Sequence, residues 1–282
     1  MVIFHLAIVK FILALNLGLT KPQHNHMLAV VHGIILCAGR KNITQIRHAV
    51  RQDGNLSNST HFLNHAPWCV NRMQRRRMKF MIEKLRKSRI KKGDSRHLVF
   101  FIVDDTNSKK DKSTNKMEAL EFHYSHEDGK SMWSHNVVTT HVVSDTYSFP
   151  WDFRPYFRKE YCEAHPIVFK SKNDLALEMI EAFSAQEDEL VYVLMDNWYT
   201  SEKVVNACNR KGFHVIAAVK TNRKISPAGI RIGMSDFAEQ YIHKSDLRPV
   251  TVEGQGKYWV YEYEGPQTFQ ALCLIADSPS LL

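Results

Sequence analysis

Two apolar runs in this chain end in aspartate, HLVFFIVDDT at residues 97–106 and ELVYVLMDNWYTS at residues 189–201. A run of strand-forming residues that stops on a carboxylate delivers it to the rim of a sheet. Two such deliveries on adjacent strands, Asp104 and Asp196, bring together hard oxygen donors of the kind that Mg2+ or Mn2+ takes. Transfer at a phosphodiester uses two ions of this type, one at the attacking and one at the leaving oxygen. Asp104 is preferred to Asp105 because it directly follows the apolar run and stands in an Asp-x-Thr arrangement with Thr106. Strand alternation turns Asp105 to the other face. Either aspartate alone reads better as a cap on a strand-to-loop turn; the pair, in its strand order, points to metal chemistry.

The elements that must position the pair follow from hydrophobic period. Residues 97–103 are a continuous apolar run, read as a strand buried on both faces. A lysine-rich loop over 106–116 leads to strands at about 117–124 and 133–143, separated by the turn SHEDGK. An irregular aromatic and proline stretch follows. Ser171 and Asp174 then open a helix with Leu175, Met179, Ile180 and Phe183 on one face. Residues 190–195 form a second buried strand, Thr200 or Ser201 caps a helix that Gly212 closes, and residues 213–219 add another strand. The order is three strands, helix, strand, helix, strand. Beyond Lys220 the chain turns β-rich, with a short helix at 235–241 and strands at 248–252, 257–263 and 269–275.

Residues 1–95 read as helices. Thr20 and Gln23 form a capping box, Met27, Val30, Val31, Ile34 and Ile35 recur at helical spacing, and Gly39 supplies a left-handed stop. A helix from Asn42 to Val50 and one over NSTHFLNH, capped by Ser57 and ended by Pro67, give the outline of a helix-turn-helix. Small helical bundles produce the same outline. The stretch at residues 71–93 is strongly basic, with Val70, Met73, Phe80, Met81 and Leu85 on one face and Arg75, Arg76, Arg77 and Lys79 among the cations around it. Only Glu83 opposes them, which favours phosphate contact over a merely solvated face.

The whole chain of 282 residues carries a formal charge of +9, from 38 Lys and Arg against 29 Asp and Glu. That balance draws polyanions, nucleic acid first, and is equally compatible with a basic enzyme that meets none. The five cysteines are odd in number, widely spaced and without a CxxC pair, so neither a disulfide framework nor a zinc knuckle is indicated and a reducing cytoplasm fits. Residues 1–19 imitate a signal peptide, but His5, Lys10 and Asn16 interrupt them; they read as a core helix rather than a leader or membrane span. His24, His26 and His32 lie among apolar residues without cysteine or carboxylate partners at ligand spacing.

The stretch LVYVLMDNWYTSEKVVNACNRKGFHVIAAVKTNRK resembles the second-aspartate region of the DDE transposases of bacterial insertion sequences, and FFIVDDTNSKKDK resembles their first-aspartate region. GLTKPQHNHMLAVVHGIILCAGRKNITQI and SNSTHFLNHAPW are similar to their helical amino-terminal region. The resemblance implies an α/β, RNase H-like mixed sheet with flanking helices over 96–220, an all-helical DNA-binding region over 1–95 and a small β-rich insertion over 221–282. It implies a metal-dependent nuclease, using two Mg2+ or Mn2+ ions, that cleaves transposon ends and joins the freed 3′ hydroxyl to target DNA. Asp104 and Asp196 carry over as metal ligands, and Lys109, Lys110, Trp198 and Tyr199 as DNA-side neighbours. For the two rings, ordinary packing beneath the following helix is an equal alternative. Double-stranded DNA is the implied partner, bound by a homodimer, without a membrane.

In this transposase group a helix with a Tyr-x2-Arg-x3-Glu-x6-Lys pattern follows the insertion and brings a third acid. No segment after Asp196 matches it: Tyr241 with Lys244 lacks the glutamate, and Glu262 and Glu264 lie in an apparent strand. The expectation is therefore a truncated transposase, impaired or inactive as it stands. The competing readings are a DNA-binding protein derived from a transposase and without chemistry, and an interaction protein whose basic face meets an acidic partner.

Overall fold

The computed structural model describes residues 4–39, 41–50, 56–89, 96–114, 116–125, 128–145, 147–220, 222–226, 229–254, 256–263 and 272–276. The chain divides into two compact units, Met1–Lys91 and Lys92–Leu282. Among the described residues no helix is long and apolar enough to cross a membrane.

The first unit is helical: α1 (Leu6–Ala14), α2 (Lys21–Leu36), α3 (Ile43–Ala49), α4 (Leu56–His65) and α5 (Val70–Ser88). Ile12, Leu15, Met27, Leu28 and Phe62 bury together, with Met73 and Phe80 of α5 packed against them. The Thr20–Gln23 capping box forms as expected, and Asn42 caps α3 by accepting from Gln45 N–H. Gly39 is not the stop of α2, which ends at Leu36 with Cys37 as an extended cap residue. The buried face of α2 is Met27, Leu28, Ala29, His32 and Gly33, leaving Ile34 and Ile35 exposed. Gly33 is required there, because a Cβ would lie 2.4 Å from the Ile46 carbonyl oxygen. His32 is part of this packing and accepts a hydrogen bond from the His5 N–H at 2.8 Å. On α5 the buried face is carried by Ile82 and Leu85, while Val70 is exposed.

The second unit begins with β1 (His97–Lys109), β2 (Glu121–Ser125), β3 (Lys130–Ser144) and β4 (Tyr147–Tyr156). Then come α6 (Lys159–Ala164), α7 (Lys172–Ala182), β5 (Glu189–Met195), α8 (Glu202–Arg210) and β6 (His214–Ala217). A small β7 (Lys224–Ile225) and β8 (Ile232–Gly233) hairpin leads to α9 (Met234–Tyr241), a 3-10 turn at Lys244–Asp246, and a second sheet of β9 (Arg248–Val252), β10 (Gly256–Tyr263) and β11 (Leu272–Ala276). The main sheet runs β2-β3-β1-β5-β6, with β4 also paired to β3. β1 is antiparallel to β3 and parallel to β5, the mixed order of an RNase H-like core.

Four strands precede α7 rather than three. The stretch read as irregular is β4, whose Pro150 and Pro155 lie opposite His141 and Val137 of β3. Proline has no N–H to give a ladder, so it is tolerated at a sheet edge and at bulges. The register slips between Thr140 and His141, and Trp151 and Asp152 turn inward there, both buried. Two further expectations change. β1 continues to Lys109, so the lysine-rich segment starts as strand. Its burial also alternates: Val99, Phe101 and Val103 are sealed, whereas Leu98 is 47% exposed.

The sealed face packs on α7, which lies against β3 and β4. Ser171 and Asp174 form the expected capping box, and Leu175, Met179, Ile180 and Phe183 are all buried. The Phe183 ring meets Phe101 at 5.0 Å and Trp151 at 5.2 Å between centroids. Gly212 follows α8 at φ +69, a conformation that other residues adopt only with strain. Phe183→Ala is expected to cost about 3–5 kcal/mol of stability, seen as a lower urea midpoint with an unchanged m-value.

Candidate active site

The parallel ladder between β1 and β5 pairs Val103 with Met195 and stops there. Asp104 and Asp196 are the next residues on the two strands, side by side where adjacent strands lie about 4.8 Å apart. β1 remains paired to β3 beyond this point, through Asp104 opposite Thr139 and on to Lys109 opposite Ser134. One edge of β1 is thus held while the other opens, and the aspartates stand at the opening. Asp104 lies within its strand rather than after it.

The adjacent acids of β1 have opposite environments. Asp104 faces outward, and its Oδ1 accepts from the Asp105 N–H at 2.8 Å; that bond, and not one from Thr106, orients the carboxylate. Burial, together with the charges of Asp105 and Asp196, raises the Asp104 carboxyl above its ordinary value. Asp105 points to the core side. Its Oδ2 accepts from Lys172 Nζ at 2.7 Å and Asn136 Nδ2 at 2.8 Å, and its Oδ1 from the Tyr199 hydroxyl at 2.9 Å. Burial pushes Asp105 up as well, but Lys172, Asn136 and Tyr199 outweigh it and hold the carboxyl below its ordinary range.

Asp196 opens a tight turn. Its Oδ1 accepts from the N–H of Trp198 at 3.0 Å and of Tyr199 at 3.3 Å, the local bonding that makes aspartate a turn residue. Thr200 Oγ1 donates to the Asp196 and Ala218 carbonyls, tying the turn to the chain after β6. α7 is docked to the same turn, since Asn173 Nδ2 donates to the Trp198 carbonyl and Ser201 Oγ to Asn173 Oδ1. The Trp198 ring is 49% exposed, with Lys220 and Lys172 ammonium groups 5.2 and 5.9 Å from its centroid.

The two rings read together from sequence part company. Tyr199 is wholly buried, and its hydroxyl is spent on Asp105, so it packs beneath the site and has no face for a base. Lys109 pairs with Asp128 at 2.6 Å, and Lys110 donates to Ser108 at 2.7 Å. In the helical unit, Arg76 Nη1 donates to the Leu15 and Asn16 carbonyls, holding the chain after α1. Arg77 is half-buried, whereas Arg75 is exposed and Lys79 carries a weak 3.9 Å pairing to Glu83. Arg75 and Lys79 are thus the more exposed of these cations, whereas Arg76 is engaged within the helical unit.

Sequence reading missed Lys172, Asn136 and His123. Lys172 is the first residue of α7, and a cation at a helix start, where the dipole disfavours it, is the one local sign that it serves something outside the helix. His123 on β2 is buried, and its Nε2 has no hydrogen-bond partner among the described residues. Burial, with the positive charges of Lys172 and Arg158, brings its pKa down to about 4.

The donor set at Asp104 and Asp196 is two carboxylates, hard oxygen ligands that fit Mg2+ or Mn2+, which often take only one or two from protein. Among the described residues no group of three His, Cys, Asp or Glu converges to hold a metal; Asp105 is turned away. A family model described as DDE superfamily endonuclease matches residues 15–236, a span that includes both aspartates, α7 and most of the helical unit. No curated protein matches the chain.

Because His123 titrates lower when folded than the ordinary 6.5, the unfolded chain binds more protons between pH 6.5 and about 4. Its contribution to stability is full above pH 6.5 and is lost as pH falls toward about 4. Urea unfolding across that window should show a falling midpoint, and His123→Gln should flatten the fall.

Proposed function

The chain belongs to the DDE superfamily endonucleases, and we propose that it is the core of a DNA transposase that cuts transposon ends and transfers the cut strand to target DNA. The observation that carries this reading is the β1–β5 register, in which Asp104 and Asp196 directly follow the last pair, Val103 and Met195, where two central strands of the sheet part. These two carboxylates would hold Mg2+ or Mn2+, which supplies Lewis acidity at the phosphate and lowers the pKa of bound water. The chain's own work is positioning. Asp104 is aimed by the Asp105 N–H and Asp196 by the Trp198 and Tyr199 N–H groups, so neither carboxylate must be ordered when the substrate arrives.

DNA phosphates would be met by the exposed cations of α5, Arg75 and Lys79 first, by Lys220 beside Trp198 of the Asp196 turn, and by Lys110 just past the far end of β1. Trp198 offers the exposed ring next to Asp196. Burial raises Asp104 first and the charges of Asp105 and Asp196 add to it; those charges also favour a cation there, and proton and cation compete for the same oxygens.

A second reading, DNA binding without turnover, is favoured by the lack of a third converging carboxylate among the described residues. The two readings separate on duplexes taken from the DNA flanking the coding sequence. Mn2+-dependent nicking that falls at least about 100-fold in Asp104→Ala and Asp196→Ala, with DNA binding retained, supports the transposase; salt-sensitive binding with no nicking supports the second. Arg75→Ala is expected to reduce the slope of log affinity against log salt by about 1, as measured by fluorescence anisotropy. Mn2+ affinity should weaken as pH falls through the raised Asp104 value, and isothermal titration at several pH values checks it.

A further inference from the structure

The Asp105 side chain has no role in the proposed chemistry, yet it gathers donors from three separate parts of the core. Asn136 comes from the middle of β3, Lys172 from the first residue of α7, and Tyr199 from the turn after β5. The Asp105 and Lys172 side chains are only 22% and 20% exposed, so this ion pair is shielded in a way that surface pairs are not. Tyr199 is the link between the two strands. Its hydroxyl holds Asp105 on β1, while its N–H holds the Asp196 carboxylate. Asn173, next to Lys172, bonds the Trp198 carbonyl and Ser201, so the same helix end grips Asp105 and the turn carrying Asp196.

This arrangement does two things. It fixes the Asp196 turn against β1 more tightly than the ladder alone, which stops one residue earlier at Val103 and Met195. It also engages both oxygens of the Asp105 carboxylate with donors, so that of two neighbouring acids Asp104 has the oxygens more open to a cation. Resting on the assignment of Asp104 and Asp196 as the cation pair, we infer that Asp105, clamped by Lys172 and Tyr199, is a positioning residue that sets the spacing of that pair and is itself withheld from the cation. Partners that orient metal ligands in this manner typically change affinity by about 10–100-fold when removed.

The test uses Mn2+ titrations followed by electron paramagnetic resonance, and urea unfolding, on the full chain. Tyr199→Phe removes one hydroxyl and keeps the ring; it should fold and bind Mn2+ about tenfold more weakly, with an altered spectrum. Asp104→Asn should abolish the site, whereas Asp105→Asn should weaken it and leave it detectable. In unfolding, the Asp105→Asn and Lys172→Met effects should be non-additive, with the double variant less destabilised than the sum of the singles. Mn2+ binding by Tyr199→Phe as tight as in the parent overturns the positioning role, and so does strict additivity of the pair. Loss of binding in Asp105→Asn as complete as in Asp104→Asn makes Asp105 a ligand and overturns its exclusion. A parent chain that folds but binds no Mn2+ overturns the cation assignment beneath the inference, a result distinct from the other two.

Discussion

In-register parallel pairing of β1 with β5 is the constraint on which the rest of the site depends. Two strands far apart in the chain meet so that Val103 stands by Met195, and the next residue on each is an aspartate. A slip of one residue would exchange Asp104 for Asp105 and turn an outward carboxylate into the core. The register is held by burial, because Val99, Phe101, Val103, Val191 and Val193 must all lie on the sealed face. Hydrophobic packing thereby decides which acids meet.

The electrostatics follow from that geometry. Asp104 and Asp105 are neighbours with opposite shifts: burial and two like charges raise the first, while an ammonium, an amide and a phenol outweigh burial in the second. Separating the two by environment gives one carboxylate that gains from a cation and one that already has its partners. His123 fits the same picture, kept neutral beside Lys172 by burial and by that lysine's charge.

Much of this was legible in the sequence where the signal is local. Strand alternation separates Asp104 from Asp105, and the capping pairs Thr20–Gln23 and Ser171–Asp174 mark the starts of α2 and α7. The apolar runs before Asp104 and Asp196 announce β1 and β5. What failed to show was non-local or depended on a sheet edge. Pro150 and Pro155 hid β4, because proline argues against a strand unless the edge is known. The two-face burial expected of β1 ignored that the face shared by Leu98 and Asp104 would stay partly open. Lys172, Asn136 and Tyr199 reach Asp105 across 67, 31 and 94 residues of chain, and no spacing rule connects them. The same ignorance left Tyr199 open between a DNA-side ring and packing beneath the following helix, and its burial decides for packing.

A crystal structure of the chain grown with Mn2+ and read by anomalous scattering would test the central assignment directly. The expected result is density bridging Asp104 and Asp196 at about 2.1 Å from their oxygens, with Asp105 still bonded to Lys172 and Tyr199. A metal seated on Asp105, or no metal at the pair at saturating Mn2+, would contradict the account.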